Sequence, residues 1–413
     1  MQRSTVRGAL YLFIDILPAA CLYHYPCLQQ RERPRISFDH MPHRTTSSTY
    51  AGSSSLAAGS WLRRSFWAFV LAQSLASVVV ARDDELRFSR ISLEQGLSQA
   101  SVLSIVQDSR GFMWFTTMDG LNRYDGYTFT VYRPDPADSN SIADLGIRRV
   151  FGDRHGELWV VTMSGKLDRY DPERDAFIHT QIESPAATDP RATRVLAVVE
   201  DTSGCLWAGT GPGRLFRFDR EKERFVQEQF RPEDERGLRD VHLQCMYADK
   251  MGAIWMGTWE GLFKYDCATK QLIRYKHSPR DPHSIGGNMV FGMTEDSGGN
   301  LWVATADGGV SVLNRTTGLF TVYRHSDREP TGLGSSRTMC VLSDSRSNIW
   351  VGTIDAGLAL FQPHTNTFHH YRHDPSKSWS LGNGAVLSAY EDRSGGIWFG
   401  TSGGGISRLD PRR

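Results

Sequence analysis

From residue 86 onward, short apolar runs alternate with turns that are rich in Gly, Asp and Asn. A representative stretch contains four such runs, at Gln244–Ala248, Ala253–Thr258, Leu262–Tyr265 and Leu272–Tyr275. Each run has the length of a single strand, and turn residues separate it from the next. The pattern therefore predicts an all-β fold that is built from short antiparallel strands.

This four-strand pattern recurs seven times, and each copy carries one tryptophan at a spacing of 45 to 48 residues from the last. An Asp stands six residues before each of these tryptophans and a Thr stands three residues after it. A Gly stands three residues before each of them, except in the sixth copy, where Ser347 replaces it. The repeated tryptophans are Trp114, Trp159, Trp207, Trp255, Trp302, Trp350 and Trp398. A period in the forties with four strands per copy is typical of a β-propeller blade.

The ends of the repeat array predict a closed ring. The seventh copy stops at its third strand, in the segment 405–410, and the segment 86–91 supplies a candidate for the missing fourth strand. Pairing the two segments would remove an exposed sheet edge and join the ends of the array. We therefore predict a single seven-bladed β-propeller with four-stranded blades over residues 86–410, closed by the N-terminal strand.

The first 82 residues differ from the repeats. Residues 1–60 contain clusters of Pro, Ser, Thr, Arg and His, and we expect them to be disordered or to reflect a start codon placed too early. Residues 61–82 place Arg63 and Arg64 before an apolar run, which predicts a cleaved signal peptide or an N-terminal anchor. We therefore expect a periplasmic or exported propeller, either free or held at the inner membrane by residues 61–82.

The repeated residues are expected to build the ring. The Asp can accept hydrogen bonds from turn amides, and the Gly can adopt a positive φ. The Trp should fill the space between neighbouring blades with its indole N–H bonded to a neighbour, and the Thr should bond backbone at the strand end. Since these residues recur in every blade, a single binding site should use positions at which the blades differ.

Two such sets of positions are expected to share one face of the ring, at the mouth of the central channel. One set lies seven residues before each Asp, and the other follows each Thr. Trp259 is the only aromatic residue in the second set, and an aromatic beside carboxylates and Arg resembles a floor that binds sugars or peptides. The candidate ligand-binding residues are Arg194, His242, Arg337, Trp259, Glu260, Met118, Asp119, Asp307 and Asp355. The alternatives are that Trp259 packs on a neighbouring loop and that the cationic residues form a solvated channel mouth.

Composition and motifs exclude several other functions. Lys and Arg number 47 against 46 Asp and Glu, so the basic surface of a nucleic-acid-binding protein is missing. The 13 His residues show no metal-binding spacing, and no nucleophile elbow, zinc-protease motif or phosphate loop is present. We therefore predict no catalytic residue, metal or cofactor. Six cysteines are too few for a disulfide scaffold, although a bridge between Cys245 and Cys267 remains an alternative to free thiols.

The repeat unit resembles the two-component regulator propeller repeat. The first copy carries the resemblance over its whole length, from Gly96–Gln99 through Asp108–Trp114 to Asp119–Gly126. The resemblance implies the periplasmic sensor region of a membrane receptor, in which an immunoglobulin-like domain, a membrane helix and a histidine kinase or diguanylate cyclase usually follow. No kinase or cyclase motif occurs before the sequence ends at Arg413. We therefore expect a ligand-sensing module without its own output domain.

The expected partners are an extracellular ligand, for which an oligosaccharide is a plausible class, and a receptor or a second copy in a dimer. Two other functions stay open at this stage. The repeats also look somewhat like those of streptogramin lyase, whose copies tend to place a Glu close after the Thr. Here that position is occupied by residues such as Met118, Met163 and Trp259, which argues against the lyase. The second is a propeller scaffold that binds a protein on its ring face.

Overall fold

The computed structural model describes residues 86–182, 190–211, 213–231, 238 and 241–409. Contacts divide the chain into one unit at residues 1–85 and a second at Leu86–Arg413, and only the second contains described residues. The predicted segments 1–60 and 61–82, and Asp410 at the end of the predicted ring, lie outside the described residues. Within the described part, no helix combines the length and the apolar character needed to cross a bilayer.

Seven four-stranded antiparallel sheets form the blades of a β-propeller, as the repeat predicts. Blade 1 contains β2 (Ser104–Gln107), β3 (Met113–Thr117), β4 (Gly120–Tyr124) and β5 (Phe129–Tyr132); blade 2 contains β6 (Ile147–Gly152), β7 (Leu158–Thr162), β8 (Leu167–Asp171) and β9 (Ala176–Thr180); blade 3 contains β10 (Val195–Glu200), β11 (Leu206–Thr210), β12 (Arg214–Asp219) and β13 (Arg224–Gln227). Two short 3-10 helices, Leu93–Gln95 and Pro190–Thr193, precede blades 1 and 3.

The remaining blades repeat the same order. Blade 4 contains β14 (Leu243–Ala248), β15 (Ala253–Thr258), β16 (Leu262–Asp266) and β17 (Gln271–Tyr275); blade 5 contains β18 (Val290–Glu295), β19 (Leu301–Thr305), β20 (Gly309–Asn314) and β21 (Leu319–Tyr323); blade 6 contains β22 (Thr338–Ser343), β23 (Ile349–Thr353), β24 (Leu358–Gln362) and β25 (Thr367–Tyr371); blade 7 contains β26 (Val386–Glu391), β27 (Ile397–Thr401), β28 (Ile406–Leu409) and β1 (Phe88–Ile91). The strands predicted for blade 4 are each within one residue of these bounds.

The N-terminal strand closes the ring, which confirms that prediction. Strand β1 pairs antiparallel with β28, in a register that runs from Phe88 opposite Leu409 to Ile91 opposite Ile406. Phe88 is 4% exposed, and its ring lies 6.1 Å from that of Phe399 in an edge-on arrangement. Closure therefore contributes buried apolar contacts as well as backbone hydrogen bonds.

Each repeated Trp is buried and donates its indole N–H to the Asp of its own blade. The Nε1–Oδ2 distance is 2.7 Å for Trp255 with Asp249 and 3.4 Å for Trp159 with Asp153, and the other five blades lie between these values. The second Asp oxygen accepts amide protons from the hairpin turn, as when Met251 and Ala253 donate to Asp249. The sequence predicted the turn bonds, but it left open which neighbour accepts the indole proton.

The Thr and Gly of the repeat also have the expected structural roles. Five of the seven Thr hydroxyls donate to the carbonyl of a Gly three or four residues on, and Thr210 donates to the carbonyl of Ala192 in the short helix before blade 3. The six hairpin glycines have φ between 81° and 99°. Ser347, the one exception in the sequence, has φ 64°, so blade 6 forms the same left-handed turn with a residue that favours it less.

The inner strand of each blade from 2 to 7 contains an irregularity that shapes the central channel. The register of pairing with the second strand shifts around the residue five positions before the repeated Asp. A bulged residue of this kind has no partner in the ladder, and its side chain is re-aimed relative to the regular alternation. The residues at this bulge position, with the equivalent residue of blade 1, are Leu103, Arg148, Leu196, Gln244, Phe291, Met339 and Leu387.

Candidate functional site

The two sets of variable positions lie side by side, on what we call the mouth face. In six blades, the residue that follows the repeated Thr donates its amide proton to the carbonyl of the residue seven before the Asp. Trp259 donates to His242 at 3.2 Å, and Ile354 donates to Arg337 at 3.1 Å. The loops that the sequence singled out therefore form one continuous surface around the channel.

Several of the candidate residues are occupied by internal contacts. Asp119 forms an ion pair with Arg133 at 2.9 Å, and Arg337 lies 3.4 Å from Asp355. In blade 5, the two carboxylate oxygens of Asp307 each accept an amide proton from the loop that enters the blade. The candidate charges of blades 1 and 6 are therefore neutralised by ion pairs, and the candidate carboxylate of blade 5 holds the loop that enters its blade. Met118 is half-buried and packs beside Gly146 of blade 2.

The remaining candidates come together at blades 3 and 4. The rings of His242 and Trp259 are stacked, with centroids 4.3 Å apart and planes inclined by 14°. Glu260 accepts the backbone amide proton of His242 at 3.1 Å, so its carboxylate lies at the edge of this stack. Trp259 is half-buried, and its indole Nε1 has no hydrogen-bond partner within the described part of the chain. The sequence left open whether Trp259 forms an exposed platform or packs on a neighbouring loop, and the structure shows a stacked pair that is only partly open.

Positive charge surrounds this stack on the side of blades 2 and 3. The Arg194 side chain is exposed and donates to the carbonyls of Ser164 and Met163 in the neighbouring turn. Partial burial, together with the charges of Arg148 and Arg194, lowers the pKa of His242 below its ordinary value of 6.5. The imidazole is therefore held in its neutral form, in which one ring nitrogen can accept a hydrogen bond.

Arg148 and Gln244 form a contact inside the channel that sequence reasoning missed. Arg148 Nη2 donates to Gln244 Oε1 at 2.8 Å, and Arg148 Nε donates to the carbonyl of Leu196 at 3.2 Å. These residues belong to the inner strands of blades 2, 4 and 3, so the contact joins two blades that are not neighbours. The adjacent Arg149 Nη2 donates to the Gln244 carbonyl at 3.1 Å. An alignment of the repeats at the bulge position would have singled out both polar side chains.

Two cavities adjoin this region. The first, of about 300 Å³, lies along the inner strands of blades 1 to 4 and is lined by residues that include Ser104, Arg149, Ala197 and Met246. The second, of about 800 Å³, lies on the mouth face and is lined in part by Lys166, Asp168, His179 and Arg194. Arg149 of the channel lines the first cavity, and Arg194 of the mouth face lines the second.

The buried carboxylate of the larger cavity has a structural partner. Asp168 is fully buried and accepts the amide proton of Ala143 at 2.8 Å and a contact from His179 Nδ1 at 2.7 Å. Burial raises the pKa of Asp168, against the opposing effect of His179. At the equivalent position in blades 1, 5 and 7, the side chains of Asn122, Ser311 and Ser407 accept a loop amide proton in the same way. The pair therefore holds a loop, and we assign it no catalytic role.

The cysteines of the described residues show no sign of a disulfide bond or a metal site. Cys205, Cys245, Cys267 and Cys340 are free thiols, so the bridge between Cys245 and Cys267 that the sequence left open does not form. Burial raises the pKa of the Cys245 thiol to about 11, which keeps it protonated and unreactive at neutral pH. Among the described residues, no group of three or more His, Cys, Asp or Glu is arranged to hold a metal ion.

Comparison with known proteins confirms the resemblance of the repeats. Residues 96–119, 284–307 and 380–403 match the family model of the two component regulator propeller. A stretch of 74 residues is 43% identical to histidine kinase P4 of Formosa agariphila and represents 18% of this chain and 5% of that protein. The chain thus corresponds to a small part of the kinase that it matches.

Solved structures show the same architecture. The extracellular domain of the hybrid two-component system BT3049 from B. thetaiotaomicron is 26% identical, with a TM-score of 0.66 over 79% of this chain and 42% of that one. The chain therefore spans less than half of the length of that domain. Virginiamycin B lyase from Staphylococcus aureus has a TM-score of 0.59 over 79% of this chain and 99% of the lyase, but at 14% identity this likeness shows the fold alone.

Proposed function

We propose that this chain is an extracytoplasmic, ligand-sensing propeller module of a two-component-type receptor. The observation that carries the proposal is the similarity of the whole ring, at 26% identity, to the extracellular domain of a hybrid two-component system. The match of one segment to a histidine kinase supports the same class of receptor. The role is a non-enzymatic one, and residues 61–82 would direct the ring across the inner membrane.

The ligand site of this proposal is the mouth face at blades 3 and 4, where Trp259, His242, Glu260 and Arg194 converge. The apolar face of a sugar ring packs well on a flat aromatic side chain, and carboxylate and guanidinium groups bond hydroxyls. An oligosaccharide therefore suits the chemistry of this surface, and a bound ligand would bias association with a receptor partner or a second copy.

The direct test is binding of the purified full chain to an array of oligosaccharides, followed by calorimetric titration of each hit. We expect at least one glycan to bind and the Trp259→Ala substitution to weaken it by up to about tenfold, since a stacked aromatic contributes about 0.5 to 1.5 kcal/mol. Tyr127→Ala is the matched control, because Tyr127 is an aromatic residue that is 88% exposed in a hairpin outside the mouth face.

The proposal fails if no glycan binds, or if Trp259→Ala and Tyr127→Ala bind each hit equally well. Copurification of a protein that protects the mouth face, without binding of any small ligand, would instead support a scaffold. Light scattering with and without the glycan measures the second step, and an unchanged molar mass would exclude ligand-induced dimerisation.

A further inference from the structure

The blades differ most sharply at two neighbouring positions of the inner strand. At the bulge position, five blades carry Leu, Phe or Met, whereas blades 2 and 4 carry Arg148 and Gln244. At the next position, six blades carry Ala, Gly, Ser or Cys, whereas blade 2 carries Arg149. Since the backbone of these strands repeats closely, the polar residues are not needed to build a blade.

Arg148 and Arg149 bring positive charge into the channel, and no carboxylate of the described residues pairs with either of them. Arg148 is largely buried, and its two described contacts are to neutral oxygens, on Leu196 and Gln244. Among residues 86–182, 190–211, 213–231, 238 and 241–409, no carboxylate lies within ion-pair distance of Arg148 or Arg149. Desolvation by burial, with a further contribution from Arg149, lowers the pKa of Arg148 to about 10. A buried cation with only neutral partners is costly unless an anion joins it.

Two buried donors beside Arg148 have no acceptor. Gln244 is 4% exposed, and its Nε2 has no hydrogen-bond partner in the described structure, because its Oε1 faces the guanidinium. The Nε of Arg149 is also buried and has no hydrogen-bond partner in the described structure. The Arg149 side chain lines the channel cavity of about 300 Å³. An unsatisfied buried donor destabilises the fold by roughly 1 to 3 kcal/mol, and most buried donors have a partner in the protein or in ordered water, so an acceptor at these two donors would stabilise the fold.

We infer that the channel binds an oxyanion, a carboxylate or sulfate group, between Arg148, Arg149 and Gln244. Both classes of anion offer acceptor oxygens to guanidinium and amide donors, and a guanidinium binds them in a bidentate manner. Partial burial, Arg148 and Arg194 all lower the pKa of His242, so an anion that approaches from the mouth face meets the cation Arg194 near the same stack that borders Arg148.

This inference deepens the proposed function and rests on it in one respect, since it assigns an acidic group to the ligand that is sensed. A sugar that stacks on Trp259 at the mouth would place a uronate carboxylate or a sulfate ester into the channel. The anion site itself is independent of that link, because free anions would occupy it as well.

The experiment measures thermal unfolding of the full chain with sodium sulfate, sodium glucuronate, glucose 6-sulfate or glucose, at constant ionic strength. We expect saturable rises in Tm of about 2 °C or more with the three anions and no rise with glucose, because a ligand that binds only the native state stabilises it. The Arg148→Leu/Gln244→Leu double variant should abolish the rise, and its residues reproduce those that stand at this position in blades 1, 3 and 7.

Two further variants separate the site from general charge effects. Arg149→Ser, which places the residue of blades 1 and 7 in blade 2, should weaken anion binding at least tenfold in calorimetric titration. Arg174→Leu removes the same charge from a side chain that is 80% exposed in a hairpin of the same blade, and it should bind as the wild type does. If the double variant unfolds, Arg149→Ser alone decides the test.

The inference is overturned if the wild type shows no saturable response to any of the three anions, or if Arg149→Ser and the double variant respond as the wild type does. A response to sulfate alone would assign the site to a free anion, whereas a response to glucuronate or glucose 6-sulfate would assign it to an acidic sugar. A neutral glycan that depends on Trp259 but not on Arg148 would leave the proposed function intact and remove the channel site from it.

Discussion

The Trp–Asp pairs, which we call the frame of each blade, and the bulge positions belong to the same repeat. They differ in whether their charged groups have a partner of opposite charge. Each buried Asp of the frame accepts an indole proton and turn amides, and Asp249 and Asp153 also pair with Arg315 and Arg220 of the next blade. In the channel, Arg148 and Arg149 have neutral partners only, within the described part of the chain. Arginines paired with a buried carboxylate therefore mark the scaffold, and arginines whose described partners are all neutral mark the place where a ligand is expected.

Substitutions of two tryptophans in blade 4 test this comparison most directly. Trp255 is 1% exposed and bonds Asp249, so Trp255→Ala should lower the free energy of unfolding by about 3 to 5 kcal/mol through cavity formation and loss of a buried hydrogen bond. Trp259 is only half-buried, and Trp259→Ala should cost about 1 kcal/mol or less. Guanidinium denaturation of the two variants measures both values, and equal losses would contradict the division between frame and mouth.

The channel residues should show the reverse behaviour. In the absence of an anion, Arg148→Leu/Gln244→Leu should leave stability unchanged or raise it by about 1 kcal/mol, because apolar residues replace an uncompensated buried charge. Arg148→Leu alone should destabilise by about 1 kcal/mol, since it leaves Gln244 Oε1 without its donor. A large loss in the double variant, measured by the same denaturation, would show that the polar pair is structural.

A substitution at the hairpin turn of blade 6 should raise the stability of the protein. Ser347 has φ 64° at the turn position where the other six blades have Gly, so Ser347→Gly should stabilise the protein by about 0.5 to 1 kcal/mol. The reciprocal change in blade 5, Gly299→Ser, should destabilise it by a similar amount, since Gly299 has φ 81°. Unfolding midpoints of the two variants that move in the same direction would exclude backbone strain as the cause.

The smallest expected effect is a pH dependence at the mouth. Because the pKa of His242 is lowered in the folded state, the unfolded chain binds more protons as the pH falls through about 6.5. The wild type should therefore lose stability below that pH relative to His242→Phe, which keeps a flat ring against Trp259 but does not titrate. Denaturation curves of the two proteins between pH 8 and pH 5 measure the difference. A constant difference across this range would show that His242 is unperturbed.

Much of this molecule follows from local chemistry that recurs in the sequence. Seven copies of one Trp, Asp, Gly and Thr pattern predicted the number of blades and their strands, because each copy repeats the same turn and burial requirements. The segment around Phe88 was identified as a candidate for the closing strand for a similar reason, since its pairing would remove the open edge of blade 7, and the structure confirms that pairing.

The candidate site depends on contacts between residues of different blades, and only the closed ring determines these contacts. Arg148 and Gln244 are 96 residues apart and meet because two non-neighbouring inner strands face one channel. Arg337 and Asp355 were equally good candidates in the sequence, but the fold pairs them with each other. Repetition determines what each blade buries, because burial is a local property of the repeat. Which of the differing residues remain uncompensated is determined by the tertiary structure, because the partners of a charge come from other blades.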